Sequence, residues 1–203
     1  MDGNHGQADY IISGKYLLPT WRHAERIEDG AVAVLRDEII AVGGRAELTA
    51  RFAEAEELHE PAGLIMPGLI NTHTHAAMTC FRGMADDLPL MDWLQDHIFP
   101  AEARLDHDQV KTGTLLACAE MIMSGTTCFC DMYLFEDAVA RAAKDAGMRA
   151  VVGEVLYDFD SPNYGSIENG IGYTQNLIDS WQQNPLISIA VEPHSAYLCA
   201  PEL

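Results

Sequence analysis

Basic residues are scarce in this chain: 12 Lys and Arg stand against 31 Asp and Glu, for a formal net charge of −19. Binding to nucleic acid or to an anionic membrane surface needs Lys/Arg patches. Neither partner is expected. Long apolar runs are lacking as well, and none approaches the roughly 18 residues that a membrane span takes. The N-terminus, Met1-Asp2-Gly3-Asn4-His5, has no basic region followed by an apolar one, so no secretory signal is expected. The five cysteines (Cys80, Cys118, Cys128, Cys130, Cys199) are odd in number and show no framework spacing. They read as reduced thiols of a cytoplasmic protein. What is there is the composition of a globular chain, 48% hydrophobic and 21% charged. Its 203 residues suffice for one domain, or one domain and a small appendage. The acidic excess reads as a solubility device. Its densest stretch, Glu54-Ala55-Glu56-Glu57, is too short for a disordered tail.

The chain changes character near residue 66. Before it, residues near 9–18 and 31–42 read as short strands. Ala31 to Leu35 is apolar, Arg36-Asp37-Glu38 makes a turn, Ile39 to Val42 returns, and Gly43-Gly44 ends the run; that is a hairpin signature. Ala46 to Phe52 suits a short helix. After it, strands and helices alternate, which implies βαβ units and a parallel sheet. Strands are expected over 64–71, 126–131, 149–156 and 186–192. A helix over 90–97 precedes Glu102 in a loop. A long amphipathic helix is expected over about 108–124, closed by Gly125. Another runs over about 136–146 and ends at Gly147. A Gly/Pro/Ser-rich loop, 158–172, leads to a last helix ending near Gln183.

The chemistry concentrates in Met66-Pro67-Gly68-Leu69-Ile70-Asn71-Thr72-His73-Thr74-His75. Residues two apart on a strand point to the same side, so His73 and His75 converge at a strand's C-terminal end. Two neutral imidazoles are the start of a site for zinc or a neighbouring first-row metal. A catalytic zinc takes about three protein ligands and a water, so two histidines leave the set incomplete. Cys128 and Cys130 share the i, i+2 spacing but read as small buried hydrophobes of a strand.

With its continuation through Ala76-Ala77-Met78-Thr79, Arg82-Gly83, Asp86-Asp87-Leu88 and Trp93-Leu94, this run resembles the amidohydrolase superfamily. More narrowly it is similar to the 5-methylthioadenosine/S-adenosylhomocysteine deaminases, in the group that also holds triazine chlorohydrolases. The resemblance continues in Phe99-Pro100-Ala101-Glu102, Gly125-Thr126-Thr127, Asp131-Met132-Tyr133 and Pro193-His194-Ser195-Ala196-Tyr197. Glu192 and Ala196 depart from it, standing where the family usually has Gly and often has Pro.

The resemblance implies an α/β fold: a small β-sandwich segment over 1–66, then the first half of a (β/α)8 TIM-type barrel over 67–203. Four strands cannot close an eight-stranded barrel, and 67–203 falls far short of the roughly 250 residues a whole barrel takes. A missing C-terminal half, a complementary chain or a homo-oligomer is therefore expected, and the isolated chain is expected to be inactive. The implied activity of the full-length protein is zinc-dependent hydrolytic deamination of adenosine-type nucleosides, 5′-methylthioadenosine and S-adenosylhomocysteine. Guanine or cytosine deamination, triazine dechlorination and an inactive fragment are the alternatives. His73 and His75 match metal ligands. His194 matches a histidine that contacts substrate near the leaving group. Glu102 matches a glutamate that accepts from ribose hydroxyls, a task that suits an acceptor-only carboxylate. The proton-shuttling glutamate and the remaining ligands are expected beyond Leu203. Trp93 suits an aromatic wall or a core position, and Asp131 an orienting role. His5, His23, His59, His97 and His107 have no partner that suggests chemistry.

Overall fold

The computed structural model describes residues 6–20, 26–196, 199–201 and 203. His5, His23, Tyr197 and Glu202 lie outside them. Two compact units, Met1–Pro67 and Gly68–Leu203, divide the chain.

The first unit is a four-stranded mixed sheet in the order β3-β2-β1-β4. Its strands are β1 (Tyr10–Leu17), β2 (Ile27–Leu35), β3 (Glu38–Gly44) and β4 (Glu56–Ile65). β1 runs antiparallel to β2 and parallel to β4. The β2–β3 hairpin turns at Arg36-Asp37, where Arg36 has φ 57° and its amide donates to Asp9 Oδ2 at 2.6 Å. Helix α1 (Arg45–Arg51) and Phe52 close one side. Leu48 and Phe52 are buried with Ile11, Ala31 and Ala33 in a small core. The strand expected over 64–71 is instead two. β4 ends at Ile65, and β5 (Leu69–Thr74) opens the second unit. Pro67, with no amide to give a ladder, separates them.

The second unit is a parallel sheet in the order β5-β6-β7-β8, with β6 (Thr126–Tyr133), β7 (Arg149–Leu156) and β8 (Ile187–Ile189). The strand expected over 186–192 is interrupted after Ile189. A two-residue β9 (Glu192–Pro193) pairs with β7 further along. Helices cover one side of the sheet. Phe129, Leu134, Val139, Val152 and Trp181 are buried in one core with the alanines of α5 (Glu136–Ala146). The turn after α5 is Gly147 at φ 72°, the left-handed position that favours glycine.

Three expectations need correction. Residues 90–102 form one helical run, α2 (Leu90–Asp92), a π-turn over Trp93–Ile98 and α3 (Phe99–Glu102). Glu102 therefore ends a helix and is not in a loop. Pro100 sits in the first turn of α3, where a missing amide costs nothing. Helix α4 (His107–Met123) has no clean apolar stripe. Val110, Cys118 and Met121 are buried, yet Leu116, Ile122 and Met123 are exposed. The helix α6 (Ile167–Trp181) begins inside the expected 158–172 loop, with Ser166 as its first flanking residue.

Among the described residues four barrel strands form an open sheet, which is a half-barrel. Leu69 and Ile70 on its edge strand are 50% and 67% exposed. An edge of that kind offers unpaired backbone groups beside apolar side chains.

Candidate active site

The site residues gather where β5, β6 and β7 end. This is the C-terminal face of the sheet, where barrel active sites are built. His75 follows the last residue of β5 and flanks the 3₁₀ turn Ala76–Phe81. The His73 and His75 rings stand edge to face, 4.9 Å between centroids. His75 Nδ1 lies 2.5 Å from the Met132 carbonyl oxygen. A carbonyl only accepts, so Nδ1 carries the proton, and Nε2 keeps its lone pair. Metal-binding histidines are commonly fixed in this way. The two residues thus fit as two nitrogen ligands of a metal. Among the described residues no group of three or more His, Cys, Asp or Glu is arranged to hold an ion.

The turn that carries the histidines is pinned from β6. Asp131 Oδ1 accepts from the Thr74 hydroxyl at 2.5 Å and from the Ala76 amide at 2.7 Å. The Thr74 hydroxyl, with one proton, also lies 2.8 Å from the Cys130 carbonyl. Strand β6 continues two residues past Asp131 to Tyr133. Asp131 is fully buried. Cys128 and Cys130, on the other face of the strand, are half-buried free thiols. α4 presses on the same turn from the far side. A Cβ built on Gly113 would lie 2.6 Å from the Ala77 carbonyl oxygen.

A cleft next to His75 is lined by Trp93, Phe99, Glu102, Tyr133, Tyr157, Phe159 and His194, among others. Trp93 is thus on the cleft wall. Glu102 Oε1 accepts from the Tyr133 hydroxyl at 2.8 Å. Burial pushes the Glu102 pKa up, and the Tyr133 hydroxyl pulls it partly back. Tyr133 is itself held protonated, first by burial and then by the Glu102 charge. His194 is set by its own amide, which donates to the Leu156 carbonyl at 3.0 Å, and by Tyr157, whose ring lies 5.5 Å away. Burial, and then the proximity of His75, lowers the His194 pKa. His194 is therefore neutral at neutral pH. Its Nδ1 lies 3.2 Å from Ser195 Oγ, which leaves Nε2 for whatever fills the cleft.

Of the four residues predicted from sequence, His75, Glu102 and His194 line this cleft, and His73 stands against His75. Sequence reasoning gave no role to Tyr133, Tyr157 or Glu154. Tyr133 lies two residues past Asp131, on the same strand face, and that spacing was the available signal. Glu154 is fully buried in β7. It accepts from the amides of Glu136 at 2.9 Å and Phe135 at 3.3 Å and from Asn163 Nδ2 at 2.8 Å. It thereby caps α5 from a neighbouring strand. Phe135, at φ 58°, supplies the left-handed turn that aims both amides at it. Burial pushes the Glu154 pKa up to about 7 despite these donors. Two other histidines have structural partners. His59 Nδ1 is 2.9 Å from Ser13 Oγ, and His107 pairs with Asp137 at 3.4 Å.

The half-barrel thus carries two histidines at a strand end and a half-buried carboxylate on the cleft wall. Residues 64–203 match the model of the amidohydrolase family. The chain belongs to that family. It is 59% identical over 197 residues to the 5-methylthioadenosine/S-adenosylhomocysteine deaminase of Syntrophobacter fumaroxidans, which covers 97% of this chain and 45% of that protein. An adenosine deaminase from Xanthomonas campestris, crystallised with bound zinc, superposes with a TM-score of 0.91 at 43% identity. It covers 95% of this chain and 44% of that one. An atrazine chlorohydrolase from Arthrobacter aurescens shares the fold, with a TM-score of 0.83 at 19% identity over 96% of this chain and 48% of that one. The chain spans a little under half the length of these relatives.

Proposed function

We propose that this chain supplies the N-terminal portion of a hydrolytic deaminase site for adenosine-type nucleosides, with 5′-methylthioadenosine and S-adenosylhomocysteine as substrates of the whole protein. Residues 1–66 would belong to its β-sandwich part and 67–203 to its barrel. The observation that carries this reading is the gathering of His75, Glu102 and His194 around one cleft beside His73. His73 and His75 would hold a divalent ion, proposed as zinc, together with ligands from outside this chain. When bound, that ion would supply Lewis acidity and activation of water. The reaction replaces the C6 amino group of the purine by oxygen from water and releases ammonia.

The chain's own residues would do the rest of the positioning. Glu102, fixed by Tyr133, accepts from two ribose hydroxyls. His194 faces the leaving group as a neutral imidazole. Trp93, Phe99 and Tyr157 give apolar walls to a purine and a thioether and exclude water from the cleft. No general acid or base for the chemical step is assigned within this chain, so the isolated 203 residues should not turn over. A site for a small acidic-protein enzyme of this kind fits a cytoplasmic setting, with no nucleic-acid partner.

The test is ammonia release from 5′-methylthioadenosine and S-adenosylhomocysteine by the zinc-loaded full-length protein. No release from either would remove the proposal. Glu102→Ala separates it from the guanine, cytosine and triazine alternatives. Loss of nucleoside binding in that variant supports ribose recognition, and unchanged binding points to a substrate without a sugar.

A further inference from the structure

Behind the histidine turn lies a second pair of acids that the proposed chemistry does not use. Asp131 and Glu136 are both fully buried. Asp131 spends Oδ1 on the Thr74 hydroxyl and the Ala76 amide. Its Oδ2 is buried without a formed hydrogen bond among the described residues, and so are both carboxyl oxygens of Glu136. Three orphaned carboxyl oxygens in a dry core are costly, since each forgoes its hydration for nothing. Two facing carboxyls remove most of that cost when they share one proton.

We infer that Glu136 is a permanently protonated carboxylic acid that donates to Asp131 Oδ2, so that Asp131 stays an acceptor and holds the His73-Thr74-His75 turn in place. The proton belongs on Glu136 and not on Asp131 because of the donors each receives. Asp131 already acts as an acceptor, from a hydroxyl and an amide. No formed hydrogen bond reaches the Glu136 carboxyl. Burial raises the Glu136 pKa most, followed by the charges of Asp131 and then Glu154. Asp131 is the charged group that weighs most on Glu136, and both carry buried carboxyl oxygens without a formed bond. Glu154 is the other acid facing Glu136, and it is saturated by three donors of its own. Both members of the pair are positioning residues. They reach the histidines only through Thr74 and Ala76, and the inference uses the proposed metal role of His73 and His75 only for its consequence.

The experiment is infrared and NMR spectroscopy on the full chain, with Glu136→Gln and Glu136→Leu compared. The intact protein should show the carbonyl stretch of a buried protonated carboxylic acid at pH 9, where Glu154, at about 7, has lost its proton. Glu136→Gln should remove that band and leave the Ala76 amide and the His75 ring signals in place, because an amide N–H still donates to Asp131 Oδ2. Glu136→Leu, which leaves Asp131 Oδ2 without a donor, should shift both sets of signals. Absence of the acid band in the intact protein would overturn the inference. So would a Glu136→Gln variant as disturbed as Glu136→Leu, an outcome expected if the pair instead holds a cation through two negative charges. These readouts involve no catalysis, so a failure to release ammonia in the functional test leaves them untouched.

Discussion

The Tyr133 hydroxyl donates to Glu102 Oε1 at 2.8 Å, joining the end of β6 to the end of the helical run before α4. The bond ties a carboxylate on a short helix to a rigid strand. It also lowers a Glu102 pKa that burial raises. Tyr133→Phe removes the donor and keeps the ring. Glu102 should then titrate higher, and nucleoside binding by the full-length protein should weaken several-fold. That is the scale of one net hydrogen bond, about 1 kcal/mol. Calorimetric titration with 5′-methylthioadenosine checks it, and an unchanged affinity would separate Glu102 from the substrate.

Glu154 predicts a pH dependence of stability with an unusual sign. Its pKa rises from the ordinary 4.5 to about 7 on folding, chiefly through burial. Between those values the folded chain binds more protons than the unfolded one, so stability falls as pH rises. The contribution is fully present below about pH 4.5 and is lost as pH passes about 7. The size is roughly 3 kcal/mol, at about 1.4 kcal/mol for each unit. Urea titrations on either side of that window measure it. Glu154→Gln should flatten the slope, and what remains of that sign belongs to Glu136, Glu102 and Glu192, whose pKa values are shifted in the same direction. A slope of the opposite sign would place these acids in their charged forms.

Much of this was legible from local pattern. The bounds of β7 and α5 were read to the residue, because a β-branched run and a helix stopped at Gly147 are encoded within a few positions. The pairing of His73 with His75 followed from strand periodicity alone. What escaped depends on partners far apart in sequence. Glu102 was assigned to a loop, yet the helical run continues past Pro100, and proline in the first turn of α3 is compatible with a helix. Glu154 serves amides 18 and 19 residues away, and no local motif announces such a cap. The missing apolar stripe of α4 has the same origin. Leu116, Ile122 and Met123 are exposed, so which apolar positions of α4 are covered cannot be inferred from the helix itself.

Gly113 and Gly172 should respond oppositely to alanine. At Gly113 a Cβ would stand 2.6 Å from the Ala77 carbonyl oxygen and 2.7 Å from Cys80 Sγ. The first of these is backbone and cannot rotate away. α4 would have to move off the turn next to His75, at a cost of roughly 1–3 kcal/mol typical of overpacking. At Gly172, inside α6, nothing lies within 4 Å of the added carbon. There alanine should stabilise by about 0.5–1 kcal/mol, because glycine loses more backbone freedom in a helix. Thermal melts of the two variants test the pair. Equal shifts would mean that α4 does not press on the histidine turn.

Metal affinity is the sharpest consequence of the site as it stands. His73 and His75, the two proposed nitrogen ligands, stand side by side, and no set of three candidate ligands forms among the described residues. Two imidazoles leave most of an ion's coordination to water, so zinc should bind this chain weakly and exchange freely. Dialysis followed by metal analysis should find far less than one zinc per chain. Replacing His75 by Ala should remove the remaining binding, since it takes away the ring fixed by the Met132 carbonyl. Met132 itself contributes only its backbone there, so Met132→Leu should leave binding unchanged. Zinc retained one to one through dialysis would mean that a third ligand lies within these 203 residues, and the proposal that the other ligands come from outside them would have to be redrawn.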